Sequence, residues 1–521
     1  MDKFDPIELE LFKNIFISVS EEMGAVLGRT ALSPNIKERK DFSCALFNRK
    51  GETFAQGSHI PVHLGAMPLS VQASLDSIDY HEGDLVVLND PYKGGTHLPD
   101  ITCISPLFVD SRLCFFVANR AHHSDIGGMT PGSMPLATEI YQEGLIIPPL
   151  KLMEKGKLKE DLLKLILANV RTPEEREGDI RAQMAANSKG LQRLREVTLK
   201  HGLQKVLRYG SYIQDYTEKI LRDTLARIPD GSYTYDDFMD DDGIRQEPVN
   251  IRARITITKD EAIIDFEGSS PQVEGGINAN FAVTSSAVLY VFRALIEEDI
   301  PVNTGLFRPL TINAPSGSVI NANPPAATAG GNVETSQRIV DILLGCLAQA
   351  IPEHIPAASS GTMNNVTFGG LDPKRGEPFA YYETIGGGMG ASSENAGLSG
   401  VHTHMTNSLN TPLEALENYL PILIRRYAIR QRSGGTGKHS GGDGIIREYE
   451  FTVPTQITIM SERRRFAPYG LQGGGPGKKG KNVLLRGDRK KRLNSKVNLK
   501  ANPGDRLVIE TPGGGGYGQK R

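Results

Sequence analysis

Glycine restricts what this chain can fold into more than any other feature. With 56 glycines and 31 prolines, about one residue in six is one or the other, and glycine is concentrated after residue 310. Backbone of this kind supplies tight turns and close approaches to a ligand. No fixed repeat period accompanies it, so nothing marks a stacked-repeat architecture. A chain of 521 residues exceeds one ordinary hydrophobic core, which predicts two to four domains or one large elaborated unit. Hydrophobic residues at 39% and charged residues at 23% describe a globular chain.

Charge and cysteine narrow the setting. Lys plus Arg (59) nearly balances Asp plus Glu (61), so no net field draws the chain to nucleic acid or an anionic bilayer. Cys44, Cys103, Cys114 and Cys346 lack CxxC spacing and lie in mainly apolar stretches, as reduced core thiols do. The first residues carry no basic region followed by an apolar core, and no apolar run approaches the roughly 20 residues of a membrane span. The expectation is a cytoplasmic protein.

The reading along the chain is α+β in three regions: strand-rich at 1–150, helical at 151–230, and mixed with Gly-rich loops at 231–521. Asp5-Pro6-Ile7-Glu8 predicts a helix start, with Asp5 as N-cap and Glu8 closing a capping box. Leu11, Ile15, Val19, Met23 and Val26 or Leu27 then line one face. Phe42 to Phe47 and Glu52 to Gln56 read as strands, a helix is expected over Ser70 to Ser77, and Leu85 to Leu88 is a buried strand. Ile101 to Val109 and Leu113 to Asn119 form a hairpin turning at Asp110-Ser111. Helical periodicity marks Leu162 to Ile166, Ile180 to Leu194 and Tyr212 to Ile228, and Ile251 to Ile257 with Ala262 to Phe266 begin a second sheet. The basic run Arg489 to Lys500 reads as a solvated face.

Metal-capable side chains are densest in Asn89 to Asp100 and Ala118 to Asp125. Both segments sit at strand ends on one edge of the expected sheet, so His97, Asp100 and His122 can converge. Imidazole and carboxylate donors suit zinc, manganese or iron(II) better than calcium. Asp41, opening another strand, is a fourth candidate ligand, and His59 and His63 can reach the same place. The i, i+2 pair His402 and His404 is expected on one strand face, where it could hold a second metal or a substrate carbonyl. A hydrogen-bonded loop remains the bland alternative for each His taken singly.

Two glycine loops resemble nucleotide loops and fail as such. Gly386 to Ala391 is followed by a poor helix former, Ser392 to Gly397. In Ser433 to His439, Arg432 stands at the first glycine of a Walker loop and His439 at its Ser or Thr. Any ATP would therefore have to be handled by another chain, and with nucleophile-elbow and Ser-Lys patterns missing, a metal-activated water is the simplest nucleophile left.

Several ordered segments resemble the hydantoinase B family: Glu38 to Ala45, His59 to Gly65, Asn89-Asp90-Pro91, Gly94 to Asp100, Ala121 to Gly128, Glu139 to Gly144, Gly178 to Gln183, Gly330 to Glu334, His404 to Asn407 and Thr511 to Gly518. The resemblance implies a beta-type subunit of an ATP-dependent cyclic amidohydrolase, acting on a hydantoin, lactam or 5-oxoproline. It implies a hetero-oligomer with a hydantoinase A-type ATPase that phosphorylates the substrate carbonyl. It places the divalent metal on Asp41, His97, Asp100 and His122, and His123 and Asp125 are then the candidates for orienting ligands or transferring protons. A ketone carboxylase subunit of the acetone or acetophenone type is the alternative, and a non-catalytic scaffold for the partner is a third reading.

Overall fold

The chain, described over residues 5–520 by a computed structural model, opens with helix α1 (Pro6–Thr30) where the sequence predicts it. Asp5 is extended, its carboxylate accepts the Ile7 N–H at 2.9 Å, and Pro6 occupies the first turn. Glu8 does not close a capping box: Lys205 and the Tyr209 hydroxyl claim its carboxylate. The buried stripe is Leu9, Phe12, Phe16, Val19, Met23 and Leu27, while Leu11 stays exposed. Both stripes have helical spacing, and the one carrying two phenylalanines removes more apolar area from water.

After the single turn α2 (Pro34–Lys37), seven antiparallel strands form the first sheet. They are β1 (Phe42–Asn48), β2 (Thr53–Gln56), β3 (Leu85–Leu88), β4 (Asp100–Val109), β5 (Arg112–His122), β6 (Leu150–Glu154) and β7 (Lys157–Leu158), in the order β2-β1-β5-β4-β3-β6-β7. Asp110 and Ser111 turn the β4–β5 hairpin with φ of 48° and 61°, the left-handed pair a two-residue hairpin needs. Its register sets Asp100 directly opposite His122. Alternation along β1 sends Cys44 and Leu46 to one face and Ala45 and Phe47 to the other. The first face packs on α1, α5 (Pro173–His201) and α6 (Leu203–Leu225). The second packs on α3 (Ala66–Leu75). That helix begins four residues before the expected Ser70, because Pro68 falls in its first turn, where a missing N–H is harmless. Residues 150–158 belong to the sheet, and the helices of the next stretch start with α4 (Glu160–Ala168).

The second sheet has the order β11-β10-β9-β8, from β8 (Gly231–Met239), β9 (Val249–Thr258), β10 (Glu261–Asp265) and β11 (Leu310–Asn313). Val249, Ile251, Ala253, Ile255 and Ile257 bury one face against α7 (Phe281–Ala294) and α8 (Ser336–Leu347). Immediately before α8, residues Gly331–Thr335 form a π turn.

The remaining elements are β12 (Asn365–Asp372), β13 (Glu377–Glu383), α9 (Leu413–Tyr419), β14 (Ile422–Arg430), β15 (Gly444–Phe451), β16 (Thr455–Met460), β17 (Lys481–Arg486), β18 (Arg489–Leu493), β19 (Lys496–Ala501) and β20 (Arg506–Glu510). They make two sheets, β13-β12-β16-β19 and β14-β15-β20-β17-β18, sharing a core that includes Phe368, Tyr381, Tyr449, Phe451 and Ile509. The basic run is only partly a solvated face: Arg489 to Arg492 are exposed, but Lys496 is buried against Glu462 and Asp241. Beside these sheets the glycine loops pack on one another. A Cβ on Gly441 would stand 2.0 Å from the Gly514 carbonyl oxygen, and one on Gly515 1.9 Å from that of Tyr469. Backbone hydrogen bonds join these glycine segments, or rods, among them Gly435 N–H to Gly514 O at 2.8 Å and Gly516 N–H to Gly475 O at 2.9 Å.

Candidate metal centre

The site grows out of one edge of the first sheet. Asp100 begins β4 and His122 ends β5, so antiparallel pairing alone brings them together. His97 arrives on a loop with little freedom. The Asp90 side chain caps the turn Pro91–Lys93, and Gly94 (φ 81°) lies so close to the Leu69–Ser70 backbone that a Cβ would meet it at 2.3 Å. The Asn280 amide donates to the carbonyls of Gly95 (3.2 Å) and Thr96 (2.8 Å). Arg120, fully buried, donates to Thr102 Oγ1, Ser70 Oγ and the Gly94 carbonyl, and burial pushes its guanidinium down to about 10.

Three donor atoms converge here. Asp100 Oδ1 is 3.3 Å from His97 Nε2 and 3.2 Å from His122 Nδ1, and the two nitrogens are 3.2 Å apart. Donors each about 2.1 Å from one ion, at tetrahedral or octahedral angles, stand about 3.0 to 3.4 Å from one another. The triad therefore fits a divalent cation, and two imidazoles with a carboxylate fit zinc, manganese or iron(II). Among the described residues no other group of three such side chains meets this closely. Burial opposes ionisation of Asp100, yet the surrounding imidazoles hold its carboxyl well below the usual range. Burial likewise works against charging His97, but Asp100 raises it on balance, while burial leaves His63 and His122 lowered.

Asp100 and His122 of the triad border a cavity of about 20 Å³, lined also by Asp41, His63, Asn332, Met363, Tyr382 and Met405, with His97 just behind them. Asp41 is drawn toward Arg39, its Oδ2 4.0 Å from the guanidinium, and its backbone carbonyl accepts the His122 N–H at 3.0 Å. Burial pushes its carboxyl up. His63 reaches the site, with Nε2 3.3 Å from Asp100 Oδ2 and Nδ1 2.8 Å from Ser43 Oγ. Tyr382 stacks on the His122 ring at 4.4 Å and 21°. Its hydroxyl donates to Asn365 Oδ1 at 2.9 Å, and Asn365 donates in turn to Glu334 Oε1 at 2.6 Å.

Other sequence candidates stand apart from the triad. His123 points to the helix side of β5, where its Nε2 meets Gln183 Oε1 at 3.0 Å, and burial pushes the ring down to about 4. Asp125 accepts the N–H groups of Gly127, Gly132 and Arg171 and pairs with the Arg171 guanidinium at 3.0 Å. His59 lies against Phe42 and Glu21. His402 and His404 do not share a strand face: the backbone turns left-handed at His404 (φ 59°), which faces Tyr290 and Asp341. Of the two nucleotide-like loops, Gly388 and Gly390 pack on carbonyls of Gly442 and Ala357, and the N–H groups of Ser433 and Gly434 bind Asp443 Oδ1. Sequence reasoning missed Tyr382 and Asn332, whose signals are an aromatic pair on a strand and a Gly-Gly before a polar residue.

Glu334 gives the region a pH dependence. It is fully buried, and burial, then the neighbouring Glu462, pushes its carboxyl up to about 8. The folded chain holds this proton up to about pH 8, whereas the unfolded chain releases it near the ordinary glutamate value. Its contribution to stability is thus present below about pH 4.5 and lost as pH rises through 8, a change of a few kcal/mol. Urea unfolding at about pH 5 and about pH 8.5 should show wild type losing more stability than Glu334→Gln over that interval. Equal slopes would refute the assignment.

The chain matches the family model described as Hydantoinase B/oxoprolinase over residues 5–520. It is 41% identical to 5-oxoprolinase 1 of Arabidopsis thaliana over 99% of its own length, and spans 42% of that longer relative. A protein of Pseudomonas sp. strain NS671, whose name describes the B-type component of a D-/L-hydantoinase, is 30% identical, with 99% of this chain and 90% of that one covered. Among solved structures, the ATP-dependent caprolactamase from Pseudomonas jessenii superposes with a TM-score of 0.92 at 29% identity, covering 99% of this chain and 92% of that one. With the family model aligned from the first helix to the last glycine rod, the chain belongs to the Hydantoinase B/oxoprolinase family.

Proposed function

We propose that this chain is the hydrolytic subunit of an ATP-dependent cyclic amidohydrolase that opens a hydantoin, lactam or 5-oxoproline ring after a hydantoinase A-type partner has phosphorylated the carbonyl. The observation that carries the reading is the convergence of the buried donors His97 Nε2, Asp100 Oδ1 and His122 Nδ1 beside a cavity that Asp100 and His122 line. The names of the relatives, 5-oxoprolinase, B-type hydantoinase and caprolactamase, support the substrate class. The longer 5-oxoprolinase leaves room in its remaining length for an activating part, which fits a division of labour.

A divalent ion held by these residues would supply Lewis acidity and bring the pKa of water from about 15.7 to near 7, with Asp41 lining the same cavity outside the triad. His63, kept neutral by burial, is held between Ser43 Oγ and Asp100 Oδ2 and fixes the orientation of the Asp100 carboxylate. Thr96 Oγ1 donates to Asp100 Oδ2 and holds that carboxylate in one orientation. His123 and Asp125 act from behind, fixing the end of β5 through Gln183 and the loop after it, which is orientation rather than proton transfer. An amide carbonyl resists water because resonance stabilises it, and phosphorylating its oxygen removes that resonance and creates a leaving group.

A cavity of about 20 Å³ holds about one water, so the substrate needs an opening. Among the lining residues, Ile60 and Val62 meet Met405 and Thr406 along a seam held by two bonds, Val62 N–H to Met405 O at 3.3 Å and Asn407 Nδ2 to His59 O at 3.1 Å, and this seam is where we infer the opening. Closure keeps an activated carbonyl from bulk water.

The test is turnover by the chain purified with its A-type partner, given ATP, candidate cyclic amides and labelled bicarbonate. The expected result is one ring-opened product per ADP with no label incorporated. Label in the product would establish the carboxylase reading, and ATP-dependent product formed equally well by a chain lacking the triad would establish the scaffold.

A further inference from the structure

The segment Gly330 to Glu334 has no part in the chemistry so far, yet it touches the triad. Asn332 is nearly fully buried, lines the cavity beside Asp41, Asp100 and His122, and sets its Nδ2 3.2 Å from His97 Nε2. Its Oδ1 is buried without a hydrogen-bond partner. A buried amide oxygen left in that state costs about 1 to 3 kcal/mol unless something else satisfies it.

The backbone holds this side chain in place. Asn332 sits in the π turn Gly331–Thr335, the kind of local widening that redirects a side chain out of helical register. Gly331 is pressed onto the Asn278 carbonyl, where a Cβ would lie at 1.9 Å. Ser336 Oγ donates to the Asn332 carbonyl at 2.6 Å, and Glu334 is fixed by the Met363 N–H and Asn365 Nδ2. Asn332 is therefore held at the triad by packing on both sides.

We propose that Asn332 is a ligand of the ion held by His97, Asp100 and His122, through its side-chain oxygen. This rests on the metal reading above. When His97 Nε2 commits its lone pair to a cation, it can no longer accept a hydrogen bond from the amide nitrogen. Half a turn of the planar amide then exchanges its two ends and presents Oδ1 to the same point. The outcome is two nitrogens and two oxygens from four side chains, with Asp41, drawn toward Arg39, further out. A hard oxygen in that position suits zinc, manganese and iron(II) alike.

Metal-free protein is titrated with manganese(II) and with cobalt(II) against a competing chelator, following affinity and the visible spectrum of the cobalt form. Wild type should bind one ion per chain. Asn332→Ala should bind at least about 10-fold more weakly, with an altered cobalt spectrum. Asn332→Asp, which keeps an oxygen and loses the amide donor, should bind as tightly as wild type or more so. Unfolding of the metal-free forms checks that all three fold alike. If Asn332→Ala binds like wild type with the same spectrum, or Asn332→Asp is as weak as alanine, the proposal is overturned while the metal site stands. If wild type binds no ion, the metal reading itself falls, an outcome distinct from either.

Discussion

His97→Ala should abolish both metal binding and ring opening. The imidazole supplies one of the three converging donors and is the contact shared by Asp100, His122 and Asn332. Removing a residue that merely supports a ligand costs about 10- to 100-fold in affinity or activity, so loss of a ligand should exceed about 100-fold. The fold should survive, because the loop carrying His97 is fixed by Asn280 and Arg120 through backbone carbonyls rather than through the ring. Metal content by elemental analysis and ATP-coupled turnover with the partner are the two readouts. A variant that assembles normally and turns over at the wild-type rate would remove the hydrolytic role and leave the scaffold.

Arg447→Met should be the most destabilising single change in the paired C-terminal sheets. Glu383 is fully buried on β13 and accepts from Arg447 Nε and Nη2, both at 3.1 Å, from the hydroxyls of Tyr381 and Tyr449, and from Asn410. The Arg447 guanidinium also lies 4.4 Å from the Tyr427 ring centre. Taking away one member of a buried ion pair strands the other and costs about 3 to 5 kcal/mol. For a chain of this length that corresponds to a fall in Tm of about 3 to 5 °C. Glu383→Gln placed on the Arg447→Met background should recover part of the loss, because no charge is then left behind. A single variant within about 1 kcal/mol of wild type would show that water reaches Glu383.

Short-range pattern made the first sheet and the triad legible. Two strands joined at Asp110-Ser111 must bring the start of one beside the end of the other, so Asp100 and His122 follow from the hairpin alone. Asn332 lies 235 residues from His97, and no local periodicity reports such a contact. The helix α1 face shifted because two stripes share the same spacing and only the sheet beneath selects between them. Lys496 looks like the rest of its basic run until Glu462 and Asp241, from distant segments, close over it. His402 and His404 failed as a pair because one left-handed residue replaces the alternation that i, i+2 spacing assumes. The expected cytoplasmic setting has a narrower structural counterpart: among the described residues, no helix is long and apolar enough to cross a membrane.

The glycine rods have a consequence for the order of assembly. Residues 513–516 each lie against a carbonyl of an earlier segment, three segments in all: Ser433 and Thr436 from one loop, Met389 from another and Tyr469 from a third. The earlier segments already bond to one another, Gly442 N–H to Met389 O at 2.8 Å and Gly475 N–H to Thr436 O at 2.6 Å, but with no side chains to fill a gap the space between them closes only when these four residues arrive. This part of the molecule therefore locks late, once residue 516 has left the ribosome, whereas the first sheet, with His97, Asp100 and His122, is complete roughly 350 residues sooner.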